Sequence, residues 1–369
     1  MHQLNTRNMA SQPLPPDGVL GANYNEGLKL VDGDHGELRA VGAKWIRGFL
    51  DMHLMDVPHP EQRPNINAVF RAVDAGFKTI ISLKWNYQER DFPVLGSAEH
   101  VAELQLLERI LALVMPRVDV MVIGNEPWIE AKPDQQNQRL NVFYESMADA
   151  VIDFRERNHL PTRLYMGALN RLDLPAKRTP AIERFLGYIA SKPQLDGVDV
   201  HLHIPNLPAH RTMLDYVLPR LRADQTFIAT EFSLIWHWKA HLGDAASNYF
   251  CSKYGFPAGI KVHEVINAAF QNPFPYKQWE DFLANEPWYI QRRHFITNAM
   301  KMYRETGRMA IATYCWSPAR HRTKPLLVTD NPWFMSAVYC TSPVQLKPDG
   351  TRHENFPWWE EFRRAANYL

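Results

Sequence analysis

Val118-Asp119-Val120-Met121-Val122-Ile123-Gly124-Asn125-Glu126-Pro127-Trp128 is the stretch on which the reading of the whole chain turns. All but one of the residues from Val118 to Ile123 are apolar β-formers, the pattern of a strand buried on both faces of a parallel sheet. The run then breaks into a small residue, an amide, a carboxylate and a proline. Pro127 has no N–H to offer a ladder, so the strand stops there. Glu126 is left at the carboxyl end of a core strand, where desolvation makes an ionisable group costly. Its position calls for a functional reason.

The chain carries an internal control, because the same four letters recur as Asn285-Glu286-Pro287-Trp288. Here the flanks read as helices, Lys277 to Ala284 and Tyr289 to Arg304. A proline in the first turn and a cap before it explain this copy without chemistry. Only the first copy follows a strand.

Working outward, apolar runs alternate with helix-like stretches. Strands are predicted at Gly18–Tyr24, Lys44–Leu50, Lys78–Trp85, the Val118 run, Arg163–Leu169, Gly197–Ile204, Thr226–Phe232 and Met309–Trp316. Helices are predicted between them; Ser97 to Met115 has Val101, Leu104, Leu107, Ile110, Leu111 and Val114 on one stripe. Eight strand–helix units in alternation imply a closed parallel sheet, a (β/α)8 TIM barrel. A doubly wound open sheet fits less well, since no Gly-rich turn follows the first strand to hold a dinucleotide. The prediction is a polar, proline-rich tail over 1–17 and a single domain over 18–369. A long irregular insertion after strand seven, 233–287, is read as an excursion over the barrel mouth or a small packing subdomain. It carries Trp236, His237, Trp238, Tyr249, Phe250, Tyr254 and Trp279.

Lys plus Arg total 41 against 40 Asp plus Glu, so the net charge of +1 argues against nucleic-acid or membrane-surface partners. No apolar run is long enough to cross a bilayer, and no signal peptide is visible, so a cytoplasmic protein or a trimmed secreted form is expected. Cys251, Cys315 and Cys340 have no metal-like spacing, and a disulfide framework is not expected. With 11 Trp, 14 Tyr and 18 Phe, the chain is rich in the flat faces that sugar C–H surfaces stack on.

Strand seven, Phe227-Ile228-Ala229-Thr230-Glu231-Phe232, repeats the oddity of strand four: an apolar run ends in a glutamate. In a barrel, strand ends four and seven bring both carboxylates to one rim. One can protonate a leaving glycosidic oxygen while the other attacks or activates water. With Asn125 ahead of Glu126, this pattern resembles the clan A glycoside hydrolases, which include family 5 cellulases and mannanases and the family 39 and 53 enzymes. The resemblance runs from about Gly18 to Leu369 and extends to Arg47, the His201-Leu202-His203 strand and Trp316. It departs from the family 5 pattern at His203, where a tyrosine is usual, and at Lys84-Trp85-Asn86, where a histidine is common. It implies a retaining enzyme without cofactor or metal, acting on a carbohydrate substrate. Glu126 would be the acid/base, its carboxyl raised by burial and by Glu231. Glu231 would be the nucleophile, kept ionised by Arg47, Asn125 and His203. Trp316 would form the floor under the sugar. Asn23, Trp85, Trp128, Trp236, His201 and His203 complete the expected substrate contacts, whereas Glu26, Asp51 and Asp56 need no explanation beyond solvated loops.

Two other readings differ in chemistry. His201 and His203 share a strand face at a spacing that suits a zinc pair, so a metal-dependent barrel hydrolase is the main competitor. A carbohydrate-binding barrel without catalysis is the other.

Overall fold

The computed structural model describes residues 18–24, 28, 31–316 and 324–367. The 1–17 tail and Glu26 lie outside them. Eight parallel strands close into a barrel in sequence order: β1 Val19–Asn23, β2 Trp45–Asp51, β3 Lys78–Lys84, β4 Val120–Ile123, β5 Arg163–Asn170, β6 Gly197–His203, β7 Thr226–Ser233 and β8 Met309–Cys315. The predicted strands differ from these only at their ends. β1 pairs with β8, so the sheet has no edge.

Alternation along each strand divides the apolar residues into two cores. Ile80, Val120, Val122, Tyr165, Ile228 and Ile311 point inward and fill the lower barrel. Met121, Ile123, Met166, Phe227, Ala229 and Phe232 point outward, under the helices. Several helices start where the sequence supplies an oxygen cap: Ser97 accepts from His100 N, Asn137 from Arg139 N, Thr179 from Ile182 N and Asn206 from Ala209 N.

The segment 233–287 is not irregular. It folds into four short helices, Ile235–Ala240, Asn248–Tyr254, Val262–Gln271 and Tyr276–Ala284. Spaced turns and prolines hid their periodicity. Trp238 and Trp279 are buried and donate to Ser336 Oγ and Asn355 Oδ1 at 3.1 and 3.3 Å, which ties the segment to the chain after β8. The second Asn-Glu-Pro-Trp copy does start a helix, Pro287–Ile290, but Glu286 does not cap it with its side chain. Its carboxylate accepts instead from Ser247 N at 2.8 Å and Trp288 Nε1 at 3.0 Å, a structural brace.

Where β6 begins, Gly197 lies so close to β7 that a Cβ there would stand 1.7 Å from the Thr226 carbonyl oxygen. Gly197→Ala therefore forces the two strands apart and is expected to cost at least about 1–3 kcal/mol, the usual range for overpacking. Urea denaturation of the variant beside the parent protein measures it.

Candidate active site

Regular alternation alone would not build the site. In β7, Ile228 faces inward and Ala229 outward, so an uninterrupted strand would point Thr230 in and Glu231 out. The pairing with β6 slips here: Asp199 opposes Ile228, but His201 opposes Glu231. One extra residue on β7 makes a bulge, and both Thr230 and Glu231 turn inward. Asp199 holds the slip by accepting from Thr230 N at 3.1 Å and from Thr230 Oγ1 at 2.6 Å. The buried Asp199 is thus the brace of this bulge. A second slip in β5, between Gly167 and Leu169, passes through Ala168 at φ 61° and turns Asn170 inward. Beyond β4, Gly124 at φ 109° and Glu126 at φ 49° let Asn125 and Glu126 both reach the mouth.

These irregularities aim several polar groups at one buried cation. Arg47, fully buried in β2, donates from Nη1 to Glu231 Oε1 at 2.5 Å and to Asn23 Oδ1 at 3.1 Å. Its Nη2 reaches Asn125 Oδ1 at 2.5 Å and Ser82 Oγ at 3.0 Å. With the Asn125 oxygen engaged, its NH2 is the part of that side chain left to donate. His203 Nε2 lies 3.0 Å from Glu231 Oε2, and its Nδ1 lies 2.8 Å from Ser233 Oγ. Burial opposes charge on Glu231, but the nearby His201 and Arg47 charges and the His203 contact outweigh it, holding the carboxyl well below the usual range.

Glu126 Oε1 accepts from Asn170 Nδ2 at 3.1 Å and also lies 3.1 Å from His201 Nδ1, off the axis of a directed N–H bond. His201 Nε2 faces Thr230 Oγ1 at 3.0 Å and Glu231 Oε1 at 3.8 Å. The imidazole thus stands between the two carboxylates. For Glu126 the expected upward shift is reversed. Burial and Glu231 do push the carboxyl up, but His201's contact and charge pull it below its ordinary range. His201 is raised in turn, since the two carboxylates overcome its burial. The two groups are thus pulled in opposite directions and titrate as a pair.

Asn23, Arg47, Asn125, Glu126, His201, His203 and Glu231 are brought together as the sequence suggested. Three of the four tryptophans are not. Ser82 and Lys84 face inward on β3, so Trp85 faces outward, fully buried against Phe143 and Tyr144. Trp316 is likewise sealed among Tyr24, Tyr339 and Phe362, with no ring face open to a sugar. Trp128 packs edge-on against Phe185 under the helices. Only Trp236 stands on the rim, with Arg171 and Lys239 over its ring at 5.5 and 5.3 Å.

The inward place at the end of β8 belongs to Cys315, whose thiol burial pushes up to about 12, so it stays protonated. The aromatic edge of the mouth comes instead from Trp333, 37% exposed and edge-on to His203 at 4.9 Å. It lies in chain with no periodicity to mark it. Asn170 could have been found, because it is a polar residue ending a core strand. Lys84 and Glu130 pair at 2.9 Å beside Phe49, another contribution from strand end three. Asp51 accepts from His53 N at 3.2 Å as a local cap, and Asp56 pairs with Arg109 in solvent. For a metal, Glu126, His201 and His203 offer atoms within 4.8 Å of one another.

A closed eight-stranded parallel barrel with two glutamates and a buried arginine at its carboxyl rim defines the class of structure. No protein-family model and no curated protein sequence matches the chain. Solved structures do. The family 53 glycoside hydrolase catalytic domain of Ignisphaera aggregans is similar with a TM-score of 0.52 at 14% identity, over 96% of this chain and 98% of that one. An endo-1,4-β-xylanase from Caldicellulosiruptor owensensis gives 0.52 at 14% identity, over 96% and 97%. Saccharomyces cerevisiae Gas2p, in complex with laminaritetraose and laminaripentaose, gives 0.50 at 7% identity, over 95% of this chain and 63% of that one. At these identities the likeness establishes the TIM-barrel fold, shared here with glycoside hydrolases.

Because Glu231 is held down in the folded state, its ionisation stabilises the fold above the unfolded glutamate value of about 4.3. That contribution is lost as pH falls through the folded pKa. Arg47→Met takes the guanidinium from a buried carboxylate and leaves His201 and His203 to offset its charge, a loss of up to about 3–5 kcal/mol near neutral pH. The deficit should shrink in acid, and urea unfolding at pH 7 and pH 3 measures the difference.

Proposed function

We propose that the protein is a retaining glycoside hydrolase of the clan A type, cleaving O-glycosidic bonds of an oligo- or polysaccharide by double displacement. The observation that carries this reading is the convergence of Glu126 and Glu231 on His201, with Arg47 reaching both Glu231 and Asn125.

Glu231, ionised by its cationic surroundings, attacks the anomeric carbon. Glu126 delivers a proton to the departing oxygen, and a glycosyl–Glu231 ester forms. Water then gives its proton to Glu126 and displaces Glu231 from the sugar. The first step needs a proton on Glu126, and His201 is placed to lend it. The Asn125 NH2 is suited to a sugar hydroxyl whose bond strengthens as positive charge develops at the ring. Trp333 and Trp236 offer the aromatic surface at the rim. Trp85, Trp128 and Trp316 serve the core.

The proximity of ligand atoms on Glu126, His201 and His203, within 4.8 Å of one another, supports a second reading, metal-dependent hydrolysis. In the glycosidase reading those histidines hold the two carboxylates.

Glu231→Gly should abolish hydrolysis of nitrophenyl glycosides. Glu126→Ala should slow substrates with poor leaving groups far more than activated ones, since the latter need little protonation. Proton NMR should show the first-formed product with the anomeric configuration of the substrate; inversion would rule out double displacement. Loss of activity on dialysis against EDTA, restored by zinc, would favour the metal reading.

The proton arrangement has its own signature. In His201→Asn the cationic partner is gone, and burial beside Glu231 governs Glu126. The alkaline limb of kcat/KM, set in the parent by the raised His201–Glu126 pair, should move to lower pH.

A further inference from the structure

Among the helices after β7 lies an open surface groove of about 570 Å³, completed by Pro273 to Pro275 and Gln345, that shares no residue with the barrel mouth. Its aromatic wall is Tyr254, Phe256 and Phe274, and its polar groups are carboxamides, chiefly Gln271, Asn272 and Gln278. Among the described residues, no Asp, Glu, Lys, Arg or His lines it. Uncharged donors and acceptors around flat apolar rings suit a ligand with many hydroxyls and no net charge; an anion would find no cation here.

The wall is fixed before any ligand arrives. Phe250, buried, packs against Tyr254 and Phe256 at 5.0 and 5.4 Å, and the Tyr254 hydroxyl donates to Asp281 at 2.7 Å. Phe274 is held on both sides of its backbone, its N–H donating to Pro343 O at 2.8 Å and its carbonyl accepting from Gln345 N at 2.9 Å. Such pre-organisation lowers the entropy lost on binding. The groove also connects with the mouth through packing. Phe270, on the helix that supplies Gln271, meets Phe334 at 5.1 Å, next in the chain to Trp333 on the rim.

We propose that this groove is a second carbohydrate-binding site, separate from the barrel mouth, which takes a neutral stretch of a glycan chain. The assignment rests on the lining chemistry and does not require hydrolysis at the mouth. Calorimetric titration with cellohexaose, xylohexaose and laminarihexaose tests it, using Glu231→Gln to prevent turnover. At least one of these should bind the Glu231→Gln protein. In the triple variant that adds Gln271→Ala and Gln278→Ala, the number of sites should fall by one, or one Kd should rise by about tenfold, as loss of two hydrogen bonds predicts. Both glutamines lie at the surface, and an unchanged melting temperature confirms the fold. Unaltered affinity and stoichiometry in the triple variant, or no binding of any of the three, overturns the proposal. If the mouth takes no sugar, Glu231→Gln alone shows one site that the added substitutions remove; that separates failure of the glycosidase reading from failure of this one.

Discussion

A guanidinium with no access to solvent sits at the centre of this protein. Arg47 could not remain charged inside a barrel without compensation, and β1, β3, the end of β4 and β7 each supply it with an oxygen: Asn23, Ser82, Asn125 and Glu231. The planar fork of arginine can meet several partners in fixed directions, which an ammonium could not. Together with His201 and His203, these contacts keep Glu231 ionised, so they bear on both folding and chemistry.

Completing the polar mouth around Arg47 requires departures from regular strand geometry. β5 and β7 each carry a register slip, and the turn beyond β4 uses left-handed backbone at Glu126. Non-glycine residues in that region carry strain that surrounding structure must offset. At Glu126 the offset comes from Asn170 and His201, which grip the carboxylate from β5 and β6. At β7 it comes from Asp199 and from Thr313 Oγ1, which donates to the Thr230 carbonyl.

Much of this was legible from residue order. Apolar runs alternating with helix-like stretches located every strand, and the two runs that end in a glutamate picked out Asn125, Glu126 and Glu231. Such a pattern says which residues end a strand, not which way they point. Trp85 and Trp316 directly follow β3 and β8, yet unbroken alternation turns both indoles toward the helices. Counting inward positions from Ser82 or Thr313 would have shown it. The Glu231 bulge could not be counted in advance, because it depends on Asp199 from the neighbouring strand. Trp333 escaped for a different reason: a loop position is set by tertiary contacts and leaves no periodic trace. The direction of the Glu126 shift was missed because His201, two strands away, outweighs burial.

A thiol rather than an indole fills the inward place at the end of β8, and the aromatic side of the mouth is carried by Trp333 on the loop beyond it. Near its base that loop is tethered by Asn331, whose amide oxygen accepts from Lys239 at 3.2 Å. Changes in the loop's length or sequence can therefore reshape the rim while leaving the strands and their charge network untouched. Ligand preference in this architecture is free to diverge separately from the machinery beneath it.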